Sequence, residues 1–341
     1  MSTENWIEAA PLEGAERLLR QYVDLAQPRL GAEAVFATDE FFAPRERLLR
    51  PEPARFHPGL YDDHGKWMDG WESRRRRGPG HDWCVVRLGL RGRIRALDID
   101  TSFFTGNFPP EAAVEVCDLP ELPDPSGEGA DWRPLVPRRR LQGGSHNLTD
   151  CLDAGPATFL RLHIHPDGGV ARLRAYGEVE IDWSAVGDGP HDLAATVNGG
   201  RAVAWNDAHF GLPANLLAPT PPENMGDGWE TARRRQPGND WCVIALGHVG
   251  VLARASLSTA FFKGNYPDRF RLRGARLGAG RDFSDGGAEV DWQELLPETH
   301  LGPDAEHEFE VLQAGPVDHV RLDIFPDGGV ARLRLTGSLV R

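Results

Sequence analysis

Apolar residues along this chain come in short runs cut by turn signals. DWCVVRLGL (82–90) and GVARLRAYGEV (169–179) each predict a buried or half-buried strand bounded by glycine. FLRLHIH (159–165) alternates strictly, so a strand there puts Leu160, Leu162 and Ile164 on one face and Arg161, His163 and His165 on the other. The PDGG that precedes GVARLR supplies a turn with residues tolerant of positive φ. One short helix is predicted within residues 1–30, where Pro11, Glu13 and Glu16 stand near its start and Leu18, Leu19 and Tyr22 give apolar spacing. Short strands with long polar connections indicate an all-β chain, a sandwich or jelly roll rather than βαβ units.

The pattern occurs twice. Residues 69–109 and 227–267 align at a constant offset of 158 without a gap, and 22 of the 41 positions are identical. Upstream, AVFATDEFFAPRERLLRP (34–51) matches AVAWNDAHFGLPANLLAP (202–219) at an offset of 168, so the first copy carries ten extra residues between Leu49 and Asp69. That insertion is rich in Pro, Gly, Asp and His and reads as a loop. Downstream, Asp131-Trp132 pairs with Asp291-Trp292 at an offset of 160, and PDGGVARLR is identical at 166–174 and 326–334. The expected organisation is a leader (1–30), a first repeat (31–183), a short linker and a second repeat (190–341).

Composition narrows the function. The 341 residues suit two domains, and 40% hydrophobic with 26% charged residues is ordinary globular composition. A net charge of −13 argues against a nucleic-acid surface despite the arginine run at 74–77, and requires any anionic ligand to be captured by local cations. Four cysteines lack C-x-x-C spacing, and Cys84 and Cys242 lie at equivalent places inside apolar runs, as buried thiols do. The N-terminus lacks the features of a signal peptide and no apolar run approaches 18 residues, so a cytoplasmic protein without a membrane span is expected. Rossmann glycines, a P-loop, G-x-S-x-G and H-E-x-x-H are all missing.

The repeated segments ATDEFFAPRERLL, DGWESRRRR, GHDWCVVRLG, DIDTSFFTGNFP and HPDGGVARLR, with second-copy counterparts such as NMGDGWETARRR, FFKGNYP and FPDGGVARLRLTG, resemble the allantoicase family from residue 34 to the end. The resemblance implies two tandem jelly-roll domains similar to galactose-binding modules, a homo-oligomer, and hydrolysis of allantoate to ureidoglycolate and urea. Allantoate is a small carboxylate bearing two ureido groups on one carbon. Its site needs a cation, acceptors for N–H groups and an acid for the departing urea. A non-catalytic ligand-binding jelly roll, or a hydrolase of a related ureide such as ureidoglycolate, stands as the alternative.

For the cation, Arg75, Arg76 and Arg77 recur as Arg233, Arg234 and Arg235; Arg75, Arg77 and Arg233 are the binding candidates, since a guanidinium fork matches a carboxylate. Asp98 and Asp100, two apart at a strand end, share a face and could divide into acid and base, with Asp100 the stronger candidate. Thr101, the Gly106-Asn107 turn and the second-copy Lys263 and Asn265 join the binding set; Gly106 is expected to admit a close backbone approach. Glu40, beside Asp39, is a further carboxylate, the two facing opposite ways on an expected strand. His146 is the histidine candidate, taken as equivalent to His307. His163-x-His165 has metal-ligand spacing, but its second-copy counterpart is Asp323-x-Phe325. No metal ligand is assigned, and dependence on a divalent metal is left open. Serines replace Asp98 and Asp100 in the second copy (Ser256, Ser258), which weights the expected site toward the first repeat.

Overall fold

A computed structural model of the protein describes residues 5–278, 280–283 and 285–341. The chain divides into two compact units, one containing Tyr22–Glu180 and the other Ile181–Arg341. Each is built on one long strand: Asp82–Asp100 in the first, Asp240–Ser258 in the second.

The first long strand has four partners, all antiparallel. Its opening half pairs with Ala157–His165 on one side and Glu33–Ala37 on the other; its closing half pairs with Arg172–Val179 and Leu148–Asp150. A strand has only two edges, so the two halves serve different layers of a sandwich. Glu111–Cys117 and Arg133–Arg140 extend the first layer, and Val23–Asp24 extends the second. Cys84, Val86 and Leu88 from the opening half, and Ile94, Leu97 and Ile99 from the closing half, share one buried cluster with Leu160, Leu162, Ile164 and Leu173. The inward residues change from even to odd numbers between Ile94 and Leu97. The pairing with Arg172–Val179 shifts register there, and such a bulge re-aims the side chains so that both halves cover one core. The second unit repeats this arrangement with Val317–Phe325 and Arg201–Trp205 on the opening half and Arg332–Leu339 and Glu306–Glu310 on the closing half.

The residues repeated most faithfully are the ones that join the DGWE segment to the last strand. Arg172 is buried, donates to Asp69 Oδ2 at 2.7 Å and reaches the carbonyls of Asp69 and Glu52. Trp71 is fully buried and its Nε1 donates to the Asp39 carbonyl at 2.9 Å. Gly70 must be glycine, because a Cβ would stand 2.4 Å from the Val170 carbonyl oxygen. The insertion is more ordered than its composition suggests: Arg55–Phe56 pairs with Ile7–Glu8, and Tyr61–Asp62 with Gly65–Lys66. The predicted N-terminal helix is Ala15–Gln21. All four cysteines are free, with Cys84, Cys117 and Cys242 buried.

Candidate active site

In the first repeat, the DGWE segment, the turn after the long strand and the PDGG turn meet around a cleft of about 260 Å³. Glu72, Ser73, Arg75, Asn107, Asp167 and Phe42 are among the residues that line it. Backbone bonds fix the three segments, Ser73 N to the Gly168 carbonyl and Gly169 N to that of Asn107, and tie Glu72 N to the Ala43 carbonyl of the loop that carries Phe42, at 2.8 to 3.1 Å. Gly168 has a φ of 142°, and a Cβ there would lie 2.6 Å from Pro109 N. The close backbone approach expected at Gly106 is therefore made by Gly168, since a Cβ at Gly106 would meet nothing within 4 Å.

Glu72 is the buried acid of this cleft. Its Oε1 accepts from Asn107 Nδ2 at 2.7 Å. Burial is the first cause that raises its pKa above the ordinary carboxylate value; the Asn107 bond opposes the rise, and the charge of Asp62 in the insertion adds to it. Arg75 lies across the cleft, its Nε 3.7 Å from Asp167 Oδ1, with its side chain 77% exposed and able to reach a ligand. The neighbouring arginines are committed elsewhere. Arg76 binds Asp82 at 2.6 Å, Arg74 binds Asp39 at 2.7 Å, and Arg77 is exposed and does not line the cleft.

Asp100 and His146 form a different cluster. His146 Nδ1 lies 2.6 Å from Asp98 Oδ2 and 3.9 Å from Asp100 Oδ1, while Nε2 donates to the Ala10 carbonyl at 2.9 Å. The Asp98 hydrogen bond is the main cause that raises the His146 pKa to about 9, so the ring is an imidazolium with both nitrogens engaged. Burial raises the pKa of Asp100, whose Oδ1 also accepts from Ser102 N at 2.8 Å. Neither residue lines the cleft. Thr101 is buried, and its hydroxyl donates to the Gln142 carbonyl at 2.6 Å. Glu40 and Asp39 lie in a loop after the strand rather than on it, and Glu40 is turned onto Arg45, whose backbone N–H it accepts at 2.8 Å.

The second repeat keeps the acid–amide pair, with Asn265 Nδ2 donating to Glu230 Oε1 at 2.5 Å. Arg233 lines a separate depression with Asn206, Asp207 and Arg235, and Lys263 is exposed beside Asp304. The pairing of His146 with His307 is corrected by register. Asp98 lies opposite Leu148 and its counterpart Ser256 opposite Glu308, so the offset is 160 and His146 corresponds to Glu306. His307 takes the place of Asn147: His307 Nδ1 meets the Leu257 carbonyl as Asn147 Nδ2 meets that of Ile99. Glu306 in turn accepts from the hydroxyl of Ser258, the counterpart of Asp100.

His163 and His165 sit on the outer face of the sheet with His81. His163 bridges His81 and Glu115, each at 2.9 Å. Among the described residues no three His, Cys, Asp or Glu side chains converge as a metal site requires. No helix among them is long and apolar enough to cross a membrane.

Glu72 is the residue the sequence reading passed over. Its signal was the DGWE tetrad, identical in both copies. Its partner Asn107 is 35 residues away.

The allantoicase repeat model matches residues 23–180 and again 191–340. A probable allantoicase of Burkholderia mallei is 52% identical over 336 residues, spanning 97% of this chain and 99% of that protein. One from Photobacterium profundum is 53% identical, spanning 93% and 96%. The crystal structure of allantoicase from Saccharomyces cerevisiae matches with a TM-score of 0.78 at 32% identity, covering 97% of this chain and 99% of that one. Two whole-length repeats, the sandwich built on each and these relatives agree: the chain belongs to the allantoicase family.

Proposed function

We propose that the chain hydrolyses allantoate to ureidoglycolate and urea, and that the Glu72 cleft of the first repeat is where it does so. The observation that carries the assignment is a buried carboxylic acid, oriented by an amide and facing an otherwise exposed arginine. Arg75 takes the substrate carboxylate through its guanidinium fork. Asn107 holds Glu72 through one oxygen, leaving the other for chemistry.

The reacting carbon is tetrahedral and bears two ureido nitrogens. As the bond to the departing nitrogen breaks, its electron pair stays with that nitrogen, which takes a proton from the Glu72 carboxylic acid. The lone pair of the retained ureido nitrogen stabilises the carbon left behind. Water then adds to that carbon and gives a proton to the Glu72 carboxylate, restoring the acid. One water is consumed and one urea released. Burial serves this cycle by making the protonated form of Glu72 more accessible, as general-acid work demands.

A urea-release assay with allantoate tests the reading. The wild-type chain is expected to release one urea per allantoate, and Arg75→Ala to raise KM about tenfold with a smaller change in kcat, since the lost interaction is a charged hydrogen bond at an exposed site. A chain that releases no urea overturns the function. An unchanged KM in Arg75→Ala overturns the placement of the carboxylate.

A further inference from the structure

The outer face of the second repeat carries a charge arrangement that the cleft chemistry does not use. Arg271 and Arg273 are two apart on Arg269–Ala275 and so share a face; in register across from them on Val317–Phe325 stand Asp323 and Arg321. All three guanidiniums turn to the Asp323 carboxylate, which is fully buried. Arg273 Nη2 is 2.8 Å from it, Arg321 Nε 2.9 Å and Arg271 Nη2 3.4 Å. Three arginines on one aspartate leave two positive charges over on the sheet face, matched in number by the Asp285 and Asp291 carboxylates that line the cavity beside it.

The cluster opens into a cavity of about 720 Å³. Its walls include Arg273, Arg321 and the indoles of Trp241 and Trp292, with Asp285 and Asp291 also lining it. Arg321 lies over the Trp241 ring at 4.6 Å. The equivalent patch of the first repeat is balanced: Glu115 stands where Arg273 does, Ala113 replaces Arg271, and His163 replaces Asp323. There Arg161 is paired to Glu115 at 2.6 Å and lies over Trp132, not over Trp83. The sheet face is thus a balanced pair in one copy and arginine-rich in the other, where Asp285 and Asp291 line the cavity beside it.

We propose that this cavity is a second ligand site, distinct from the Glu72 cleft, for a small carboxylate carrying amide or ureido N–H groups. The carboxylate sits on the Arg273 and Arg321 donors that Asp323 and, for Arg321, the Gly286 carbonyl leave over. The body of the ligand lies beside the Trp241 and Trp292 indoles, one face of Trp241 being already covered by Arg321, and Asp285 and Asp291 accept its N–H groups. This chemical class includes the substrate and product of the cleft reaction, which makes the site suited to sensing them. The proposal does not depend on the mechanism assigned to Glu72.

Calorimetric titration of the full chain with N-carbamoylglycine, which carries one ureido group and one carboxylate, tests it. Saturable binding is expected, accompanied by a change in indole fluorescence that Trp241→Phe diminishes and weakening as salt is added. Arg273→Gln and Arg321→Gln should each weaken this binding at least tenfold, while Arg75→Gln leaves it in place. A folded Asp323→Asn variant should bind more tightly, because the arginine donors are released. Absence of saturable binding, equal binding in Arg273→Gln and Arg321→Gln, or loss of binding in Arg75→Gln alone overturns the proposal. So does weaker binding by folded Asp323→Asn, which would mean that the arginines serve only that carboxylate.

Discussion

Asp69 meets Arg172 in the first repeat at 2.7 Å, and Asp227 meets Arg332 in the second at 2.6 Å. Trp71 and Trp229 are both fully buried, and each donates to the carbonyl of an equivalent aspartate, Asp39 or Asp207. Arg76 and Arg234 bind Asp82 and Asp240 in the same way. Scaffold contacts have been kept residue for residue, while the titratable groups outside them have been exchanged. Asp98, Asp100 and His146 have become Ser256, Ser258 and Glu306, turning a carboxylate–imidazolium cluster into a hydroxyl–carboxylate one. Where two copies of a fold must both stand, losing one partner of a buried ion pair leaves an unpaired buried charge, so such a pair is kept whole, as Asp69–Arg172 is, or exchanged at both positions, as Asp98–His146 is. Groups that only one copy needs are free to change.

The acid–amide pairs Glu72–Asn107 and Glu230–Asn265 lie between these extremes. The pair is kept in both, but Glu72 is buried and Glu230 only half-buried. Phe42 borders the first cleft, whereas its counterpart Phe210 is 63% exposed, and the insertion that brings Asp62 near Glu72 exists only in the first repeat. If burial is what equips the acid, Glu72→Gln should lower kcat by about 10²- to 10⁴-fold with little change in KM, the range for loss of a general acid. Glu230→Gln should cost less than about threefold. Steady-state urea release by both variants checks this. Equal losses would break the comparison and make the two clefts equivalent.

The strands were readable because their chemistry is local. Strict alternation in 159–165 fixed which residues face the core, and Leu160, Leu162 and Ile164 are all fully buried. The long strand read as two pieces, 82–90 and one ending at Asp100, because Arg91-Gly92-Arg93 interrupts the apolar run and the inward positions change parity at the bulge beyond it. The site was harder to see. Arg75 and Asn107 were singled out by side-chain type, and the structure places both in the lining of the Glu72 cleft. Glu72 was missed because its burial and its amide partner arise only when segments 35 residues apart meet. The alignment of His146 with His307 followed residue type across two changes of offset. Carrying the offset of 160 forward from Asp131 would have placed Glu306 there, but only strand register shows what Glu306 binds.

The imidazolium that only the first repeat carries makes stability depend on pH. The pKa of His146 rises from 6.5 to about 9 on folding, so the folded state holds this proton more tightly. The stabilisation is full below pH 6.5, where the unfolded chain is also protonated, and is lost as pH rises through about 9. With 23% of the ring exposed, the contribution is of the order of 2 kcal/mol. Urea denaturation of wild type and His146→Gln should show the two well separated at pH 6 and converging by about pH 9.5. A constant gap between wild type and His146→Gln would mean that the ring acts by packing alone.

The smallest effect is expected at a position where the second repeat gains a cation. Lys263 replaces Thr105 beside the conserved Gly-Asn turn, and a lysine there looks like a cation gained for the substrate carboxylate. Its side chain is 79% exposed, and its Nζ is 3.8 Å from Asp304, itself 45% exposed. An ion pair so open to water contributes at most about 0.5 kcal/mol. A lysine held so loosely has surrendered little rotamer freedom, so removing it should disturb neither the turn nor the Glu230–Asn265 pair behind it. Lys263→Ala should therefore change stability by less than about 0.5 kcal/mol and urea release by less than about twofold. A larger drop in urea release, with stability unchanged, would show that the second repeat captures substrate in its own right, and the first repeat's buried acid would no longer suffice to explain the activity.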